Sequence, residues 1–339
     1  MSGPTVDTNL KVAGAAVGFA TSSLQVNFRI RKTVIALYDK VELEIVPQKY
    51  DLNTLNLVAD VDPIVPELTL SGNFYTYAYT DIQLYDLGLN IAYKLNAYDA
   101  DGNLVAVSED FNVVPAEYLK TLYTNSTGDA ELRTMIVDTL VVGANAVEMF
   151  TYNNSDCDLA KATSIIEGFD TSEATPSVST YNTVDSFNSY DSSWGNASSN
   201  TYWAAKSAGI GKAAYLNFRI RDRQALDIDK FSFRISYSGQ YLDGTTYSYD
   251  KTFTTANSGI ARSSNFVTFA FEEIGFCDSD KDILIEVSYD GAKVYDVTYS
   301  MESYLSANTE TEQIGGTVTA LMHLGASARA VAAKNAAAN

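Results

Sequence analysis

Five residues occur twice in this chain in the same order. Asn27-Phe28-Arg29-Ile30-Arg31 returns as Asn217-Phe218-Arg219-Ile220-Arg221, 190 positions later. At that same offset Asp39-Lys40 meets Asp229-Lys230. Val41-Glu42-Leu43-Glu44-Ile45 then meets Phe231-Ser232-Phe233-Arg234-Ile235, with apolar residues in matching places. Ile91–Asp99 resembles Asp282–Asp290 at offset 191, and both segments close on Tyr-Asp. Further on, Leu140-Val141-Val142-Gly143-Ala144-Asn145-Ala146 parallels Met322-His323-Leu324-Gly325-Ala326-Ser327-Ala328. An ungapped match of this length leaves one organisation: two copies of a module of about 150 residues. The expected boundaries are residues 1–165 for the first module and 200–339 for the second. Residues 166–199, rich in Ser, Thr, Asn and Asp, read as a solvated linker between them.

Within a copy the pattern is that of short strands. Leu24, Val26, Phe28 and Ile30 alternate with Asn27, Arg29 and Arg31. A two-residue period puts one face on a core and the other in water. Val41-Leu43-Ile45, Phe231-Phe233-Ile235 and Phe266–Phe271 repeat the pattern, and Phe74–Tyr79 is aromatic-rich and strand-like. Leu89–Tyr98 and Leu104–Val107 read as a hairpin across Asp99-Ala100-Asp101-Gly102-Asn103, where Asp-Gly supplies the positive φ of a tight turn. Asp290-Gly291 takes that place in the second copy. Turn signals at about ten-residue spacing predict antiparallel sandwiches. The expected fold is mainly β: two tandem immunoglobulin-like antiparallel β-sandwich modules, each closed by one C-terminal α-helix. Neither half carries a Cys…Trp…Cys pattern, so the immunoglobulin likeness is architectural only. The first helix is expected over about 131–150. There Leu132, Met135, Ile136, Leu140, Gly143, Ala144, Val147 and Phe150 form a stripe of 3.6-residue period, and Asp129 can cap its start. The second is expected over about 317–333, with more alanine.

Charge and composition narrow the chemistry. The chain of 339 residues has 23 basic and 42 acidic side chains, a net charge of −19. Such a surface repels phosphate backbones and anionic membranes, so neither nucleic acid nor membrane insertion is expected. No run of 18 or more apolar residues marks a span. One histidine and two cysteines leave little for Ser-His-Asp triads or Cys/His metal modules. Tyrosine, at 23 copies, suits strands and contact surfaces. Lys11 and the Gly/Ala-rich run to Ala20 imitate a signal peptide. Asp7 precedes them without a basic cluster, so the run is read as part of the module. On that reading the chain stays in the cell that makes it, or its leader has been removed.

The end of the first copy carries a more particular pattern. Gly143-Ala144-Asn145-Ala146, then Phe150-Thr151-Tyr152-Asn153, then Asp158-Leu159-Ala160 resembles a module of large surface proteins of Gram-positive gut anaerobes. Its helix end reads Tyr-Gly-Ala-x-Ala-Gln-x-Tyr-Phe-x-Tyr-Asn-Thr-Asp-x-Leu-Ala. Val142 stands where that pattern has its first tyrosine. The second copy keeps Gly325-Ala326-Ser327-Ala328 and loses the Tyr-Asn tail. The resemblance implies display and contact, and it carries over no catalytic residue.

Each candidate residue has a structural reading beside its functional one. Asp278, Asp280 and Asp282 have the alternate spacing of a calcium loop, but Ile283 and Tyr289 stand where a full loop has Gly and Glu. The competing reading is a polar turn before a strand. Asp99, Asp101 and Asn103 make a similar partial match and read as hairpin chemistry. Cys157 and Cys277 lie in different copies and are expected as separate thiols. His323 falls where the first copy has Val141, a packing position. Arg29, Arg31, Arg219 and Arg221 share one sheet face per copy. They read either as cross-strand partners of Asp/Glu or as a protein contact surface. Trp194 and Trp203, amid Ser, Asn and Tyr, read as sugar-stacking or protein-contact residues, or as strand-end packing.

No constellation converges on catalysis, and no enzyme activity or cofactor is expected. The expected function is that of a structural or interaction protein present in many copies in a virion, of capsid-decoration or head-fibre type. Its partners would be proteins, through self-assembly or a capsid or surface lattice. The alternative is an exported bacterial cell-surface adhesion or carbohydrate-binding module, with a glycan as a further candidate partner and an extracellular or cell-surface location.

Overall fold

The computed structural model describes residues 3–152, 160–176, 186–190, 204–221, 226–257, 259–264 and 266–338. The chain is mainly β and divides into two compact units. The first comprises Met1–Gly128 and Gly143–Thr171, the second Asp129–Val142 and Ser172–Asn339.

The first unit contains β1 (Thr5–Val6), β2 (Val12–Phe19), β3 (Leu24–Arg31), helix α1 (Lys32–Ile35), β4 (Lys40–Pro47), β5 (Thr69–Ser71), β6 (Phe74–Ile82), β7 (Ile91–Tyr98), β8 (Leu104–Val107) and β9 (Phe111–Val113). Helix α2 (Pro115–Asn125) follows, then the later half of α3 (Ala130–Tyr152), then α4 (Ala160–Ser164). One sheet runs β2-β3-β6-β5. The other runs β1-β8-β7-β4, with β9 also on β7. All pairs are antiparallel except β1 with β8. Alternation decides the faces: Val26, Phe28 and Ile30 are fully buried, while Arg29 and Arg31 are exposed. The Phe28 ring meets Tyr93 of the other sheet edge-on at 5.0 Å, so the two sheets pack face to face. The run that imitates a leader, Val12–Phe19, is the antiparallel partner of β3.

The second unit contains β10 (Ser186–Ser189), β11 (Ala204–Ile210), β12 (Ala214–Arg221), β13 (Phe231–Gln240), β14 (Thr246–Phe253), β15 (Ala261–Ser263), β16 (Phe266–Phe271), β17 (Ile283–Tyr289) and β18 (Ala292–Tyr299). Helices α5 (Met301–Ser306) and α6 (Gly315–Ala338) end it. Its sheets run β11-β12-β16-β15 and β10-β18-β17-β13-β14. Phe233 stacks on Phe269 at 5.0 Å and meets Phe218 edge-on at 5.9 Å, which again joins the two sheets through their inner faces.

The sequence repeat is thus also a repeat of register. Arg31 pairs Phe74 and Arg29 pairs Thr76; in the second unit Arg221 pairs Phe266 and Arg219 pairs Thr268. Leu43 opposite Leu95 becomes Phe233 opposite Val287. Even a side-chain detail returns: the Thr76 hydroxyl donates to Thr69 O and the Thr268 hydroxyl to Ala261 O.

Three features depart from the sequence expectation. The stretch read as linker contains β10, which pairs with β18. Phe187 lies 5.0 Å from the buried Tyr295 ring, and Asn188 Nδ2 donates to Asp296 at 2.7 Å. Polar composition concealed it, because its polar groups have partners in the sheet. Each unit also has a short helix ahead of its long one. Pro115 starts α2, where a missing N–H costs nothing. Ser300 caps α5 by accepting from Ser303 N. Finally, β18 is continuous where the first unit has β8 and β9. Ser108 sits at that break, its Oγ accepting from Leu95 N at 2.9 Å and donating to Glu109 O at 2.7 Å.

Candidate functional site

The repeated arginines lie on the exposed face of β3 and β12, and an aromatic ring is their cross-strand partner. The Arg29 guanidinium lies over Phe74 at 4.1 Å and that of Arg31 at 5.4 Å. Arg219 and Arg221 lie over Phe266 at 4.7 and 5.9 Å. Two cations share one ring in each unit, an arrangement set by the antiparallel register and worth about 0.5–1 kcal/mol per pair at an exposed site. Cross-strand ion pairs are found on the outer face of the other sheet. Lys94 meets Glu44 at 3.1 Å in the first unit. In the second, Arg234 meets Glu286 at 2.8 Å and Asp250 at 2.7 Å, and Lys293 joins Glu286 to Asp296 at 2.6 and 2.8 Å.

Beneath the long helices each unit buries an aspartate in a 3-10 turn. The turns are Leu84–Asp86 and Phe276–Asp278. Asp86 Oδ1 accepts from Tyr50 N at 3.1 Å; Asp278 Oδ1 accepts from Gln240 N at 2.8 Å. Asp278 has a second donor, the Tyr247 hydroxyl, at 2.5 Å on Oδ2. Burial pushes the Asp86 carboxyl up to about 7. Burial also raises Asp278, with the Tyr247 and Gln240 hydrogen bonds acting against it. A helix glycine lies over each turn. A Cβ on Gly143 would meet Leu84 O at 2.8 Å and Leu87 Cδ1 at 2.9 Å, and one on Gly325 would collide with Ser279 Oγ. The small residues of both helices therefore serve close approach.

Around Gly325 the second unit has a buried polar network. Glu302 is 4% exposed. Its Oε1 accepts from Ser279 Oγ at 2.9 Å and pairs with Arg329 Nη2 at 2.7 Å, while Arg329 Nη1 donates to Ser279 Oγ at 2.9 Å. Glu302 N donates to Ser279 O at 2.8 Å, and Asp280 faces Arg329 Nε at 3.5 Å. These bonds tie the 3-10 turn to α5 and α6. The cavity beside them, lined by Phe276, Ser279, Met301 and Gly325, measures about 20 Å³, room for one water. An open hollow of about 260 Å³ lies among Ala130, Glu131, Thr134, Thr175, Ser327 and Ala330, without a convergent pair of titratable groups.

The residues singled out in the sequence take separate places. Asp278 points to Gln240 and Tyr247, Asp280 to Arg329 and Lys281, and Asp282 is exposed. Among the described residues no group of three His, Cys, Asp or Glu side chains could hold a metal ion. Asp278 and Asp280 take separate partners in the turn ahead of β17. Asp99 Oδ1 accepts from Asp101 N and Asn103 N, which holds it below the usual carboxylate range and makes it a turn residue. Asp129 Oδ1 accepts from Leu132 N and caps α3. Cys277 is buried, its thiol pushed up to about 12 by that burial, with Sγ 3.5 Å from Ala328 O. His323 is half-buried on α6. Trp194, Trp203 and Cys157 lie outside the described residues.

Sequence reasoning missed Asp86, Glu302 and Arg329, and it singled out Asp278 only as a calcium ligand. The repeat could have paired the two aspartates: Leu84-Tyr85-Asp86 and Phe276-Cys277-Asp278 are the same apolar-x-Asp triplet at offset 192. Among the described residues, α3 has the length and apolar content of a membrane span. Of its most apolar stretch, 67% is buried within the protein, as in the core helix of a globular domain. In comparisons with known proteins, no protein-family model and no curated protein sequence matches the chain.

Proposed function

We propose that this chain is a non-enzymatic structural or interaction protein, displayed in many copies as a virion component of capsid-decoration or head-fibre type. On this reading its two units are tandem immunoglobulin-like sandwich modules, each closed by its long helix. The observation that carries the reading is the repeated Arg–Phe face. One chain presents it twice, on β3–β6 and on β12–β16, with the same register. Arginine and aromatic residues are enriched where proteins meet. Two copies of one such face on a chain favour attachment to a repeating lattice, because the second contact forms at high effective concentration. The buried polar groups fit the same reading, since Asp86, Asp278, Glu302 and Arg329 all join elements of their own unit.

The test is sedimentation of the full chain, alone over a range of concentrations and with purified virus-sized particles from the source culture. The expected result is concentration-dependent association or co-sedimentation with particles, reduced by Arg29→Ala with Arg219→Ala. A chain that stays monomeric at high concentration and does not bind particles would contradict it.

A further inference from the structure

The two buried aspartates occupy equivalent turns but differ in their donors. Asp278 has Gln240 N on one oxygen and the Tyr247 hydroxyl on the other. Among the described residues one N–H donor, Tyr50 N, reaches Asp86. The residue is nonetheless only 7% exposed. Its oxygen holds the start of a loop, Tyr50–Leu57, which closes on itself through the Tyr50–Leu57 bridge and the Leu55 N to Asp51 O bond.

The charged groups around Asp86 do not neutralise it. From the segment after β4, Lys49 contributes a positive charge, but its ammonium is bonded to Asp81 at 2.6 Å. From β6, Asp81 adds a like charge, and the Tyr79 hydroxyl donates to Asp81 O. From α4, Lys161 lies over the Tyr50 ring at 5.5 Å and donates to Leu55 O. From α3, Gly143 brings backbone against Leu84 O. An ionised carboxylate in this place lacks the donors it would have in water, and the loop it holds exposes Leu52, Asn53, Thr54, Asn56 and Leu57 around the buried Leu55.

We propose that Asp86 is a proton-dependent latch: neutral, it keeps the Tyr50–Leu57 loop closed on the Leu84–Asp86 turn; ionised, it favours an open loop that lets water reach the carboxylate. The sign follows from linkage. Burial raises this carboxyl to about 7 in the closed form, against about 4 for a hydrated one. Closure is therefore fully supported below about pH 4, and that support is lost as pH rises to about 7. The opening constant rises about tenfold per pH unit in that window and levels off above it.

Two measurements on the full chain test the latch. Carboxyl-carbon NMR of labelled aspartate should find Asp86 titrating near neutral pH. Hydrogen exchange should then compare the Tyr50–Leu57 amides of the wild type and Asp86→Asn, which keeps an acceptor oxygen for Tyr50 N without the charge. The expected ratio of wild-type to variant opening constants rises about fiftyfold between pH 5 and pH 7 and levels off above about pH 8. The amides of Gln240–Gly244 in the second unit should show no such difference between the two proteins. A ratio that stays constant across this range, or an Asp86 carboxyl titrating near 4, would overturn the proposal. The NMR titration decides alone if the variant does not fold.

Discussion

At one position in the paired sheets the two units carry opposite charge. Glu44 on β4 faces Lys94 on β7, while Arg234 on β13 faces Glu286 on β17. The offsets between equivalent positions are 190 on one strand and 192 on the other, so the strand pairing places β7 and β17 one residue away from the 191 of the sequence match. Both residues have changed sign and the attraction has stayed. What persists between the copies is the geometry of the cross-strand pair, with its need for unlike charges, rather than either residue. The same lesson holds under the long helices. Gly143 rests on an apolar bed of Leu84, Leu87 and Ile165, whereas Gly325 rests on Ser279, Glu302 and Arg329. The close approach is common to both; its chemistry is not.

This comparison can be broken at several points. The largest effect belongs to the bed of the second unit. Arg329→Ala leaves Glu302 buried without its cation, and thermal or denaturant unfolding should show a loss of about 3–5 kcal/mol. A loss below about 1 kcal/mol would mean that the network contributes little to docking α6. Next come the glycines. Gly143→Ala forces a methyl against backbone oxygen and should cost about 1–3 kcal/mol despite the better helix propensity of alanine. Gly325→Ala collides with a hydroxyl that can turn only by breaking its bonds to Glu302 and Arg329, so Ser279→Ala in the same chain should recover part of the loss. Additive losses in that double variant would separate the two sites. Tyr247→Phe removes the second donor of Asp278 and should cost about 1–2 kcal/mol, bringing the second unit nearer to the first. The smallest effect is at the swapped pair. Glu44→Arg sets like charges together on a partly exposed face and should cost about 0.5 kcal/mol, returned when Lys94→Glu is added.

The strand framework was legible because it is written in period two. Leu24–Arg31, Val41–Ile45, Phe231–Ile235 and Phe266–Phe271 all lie in strands, and Asp-Gly marks the turn at Asp290-Gly291, with φ of 51° and 79°. The repeat made each assignment twice. Elements whose signal is long-range stayed hidden. Strand β10 has a polar sequence, and its partners Tyr295 and Asp296 lie more than 100 residues away. Strand β14, with Tyr247 and Tyr249, has no strand counterpart among the described residues of the first unit, where bridges at Ile64 and Leu57 stand instead. Of the candidate site, the arginine face was legible from alternation, but its aromatic partner depended on register. The aspartate turns depend on burial, which a single acidic letter in an acidic chain does not reveal.

The proposed role is that of a repeated contact module of a particle. Quantitative mass spectrometry of two fractions from the source culture, purified virus-sized particles and stripped cell surface, tests that most directly. Abundant peptides from both units in the particles, at a stoichiometry of many copies, are the predicted result. Peptides confined to the stripped surface would contradict it and make the chain an exported adhesion module.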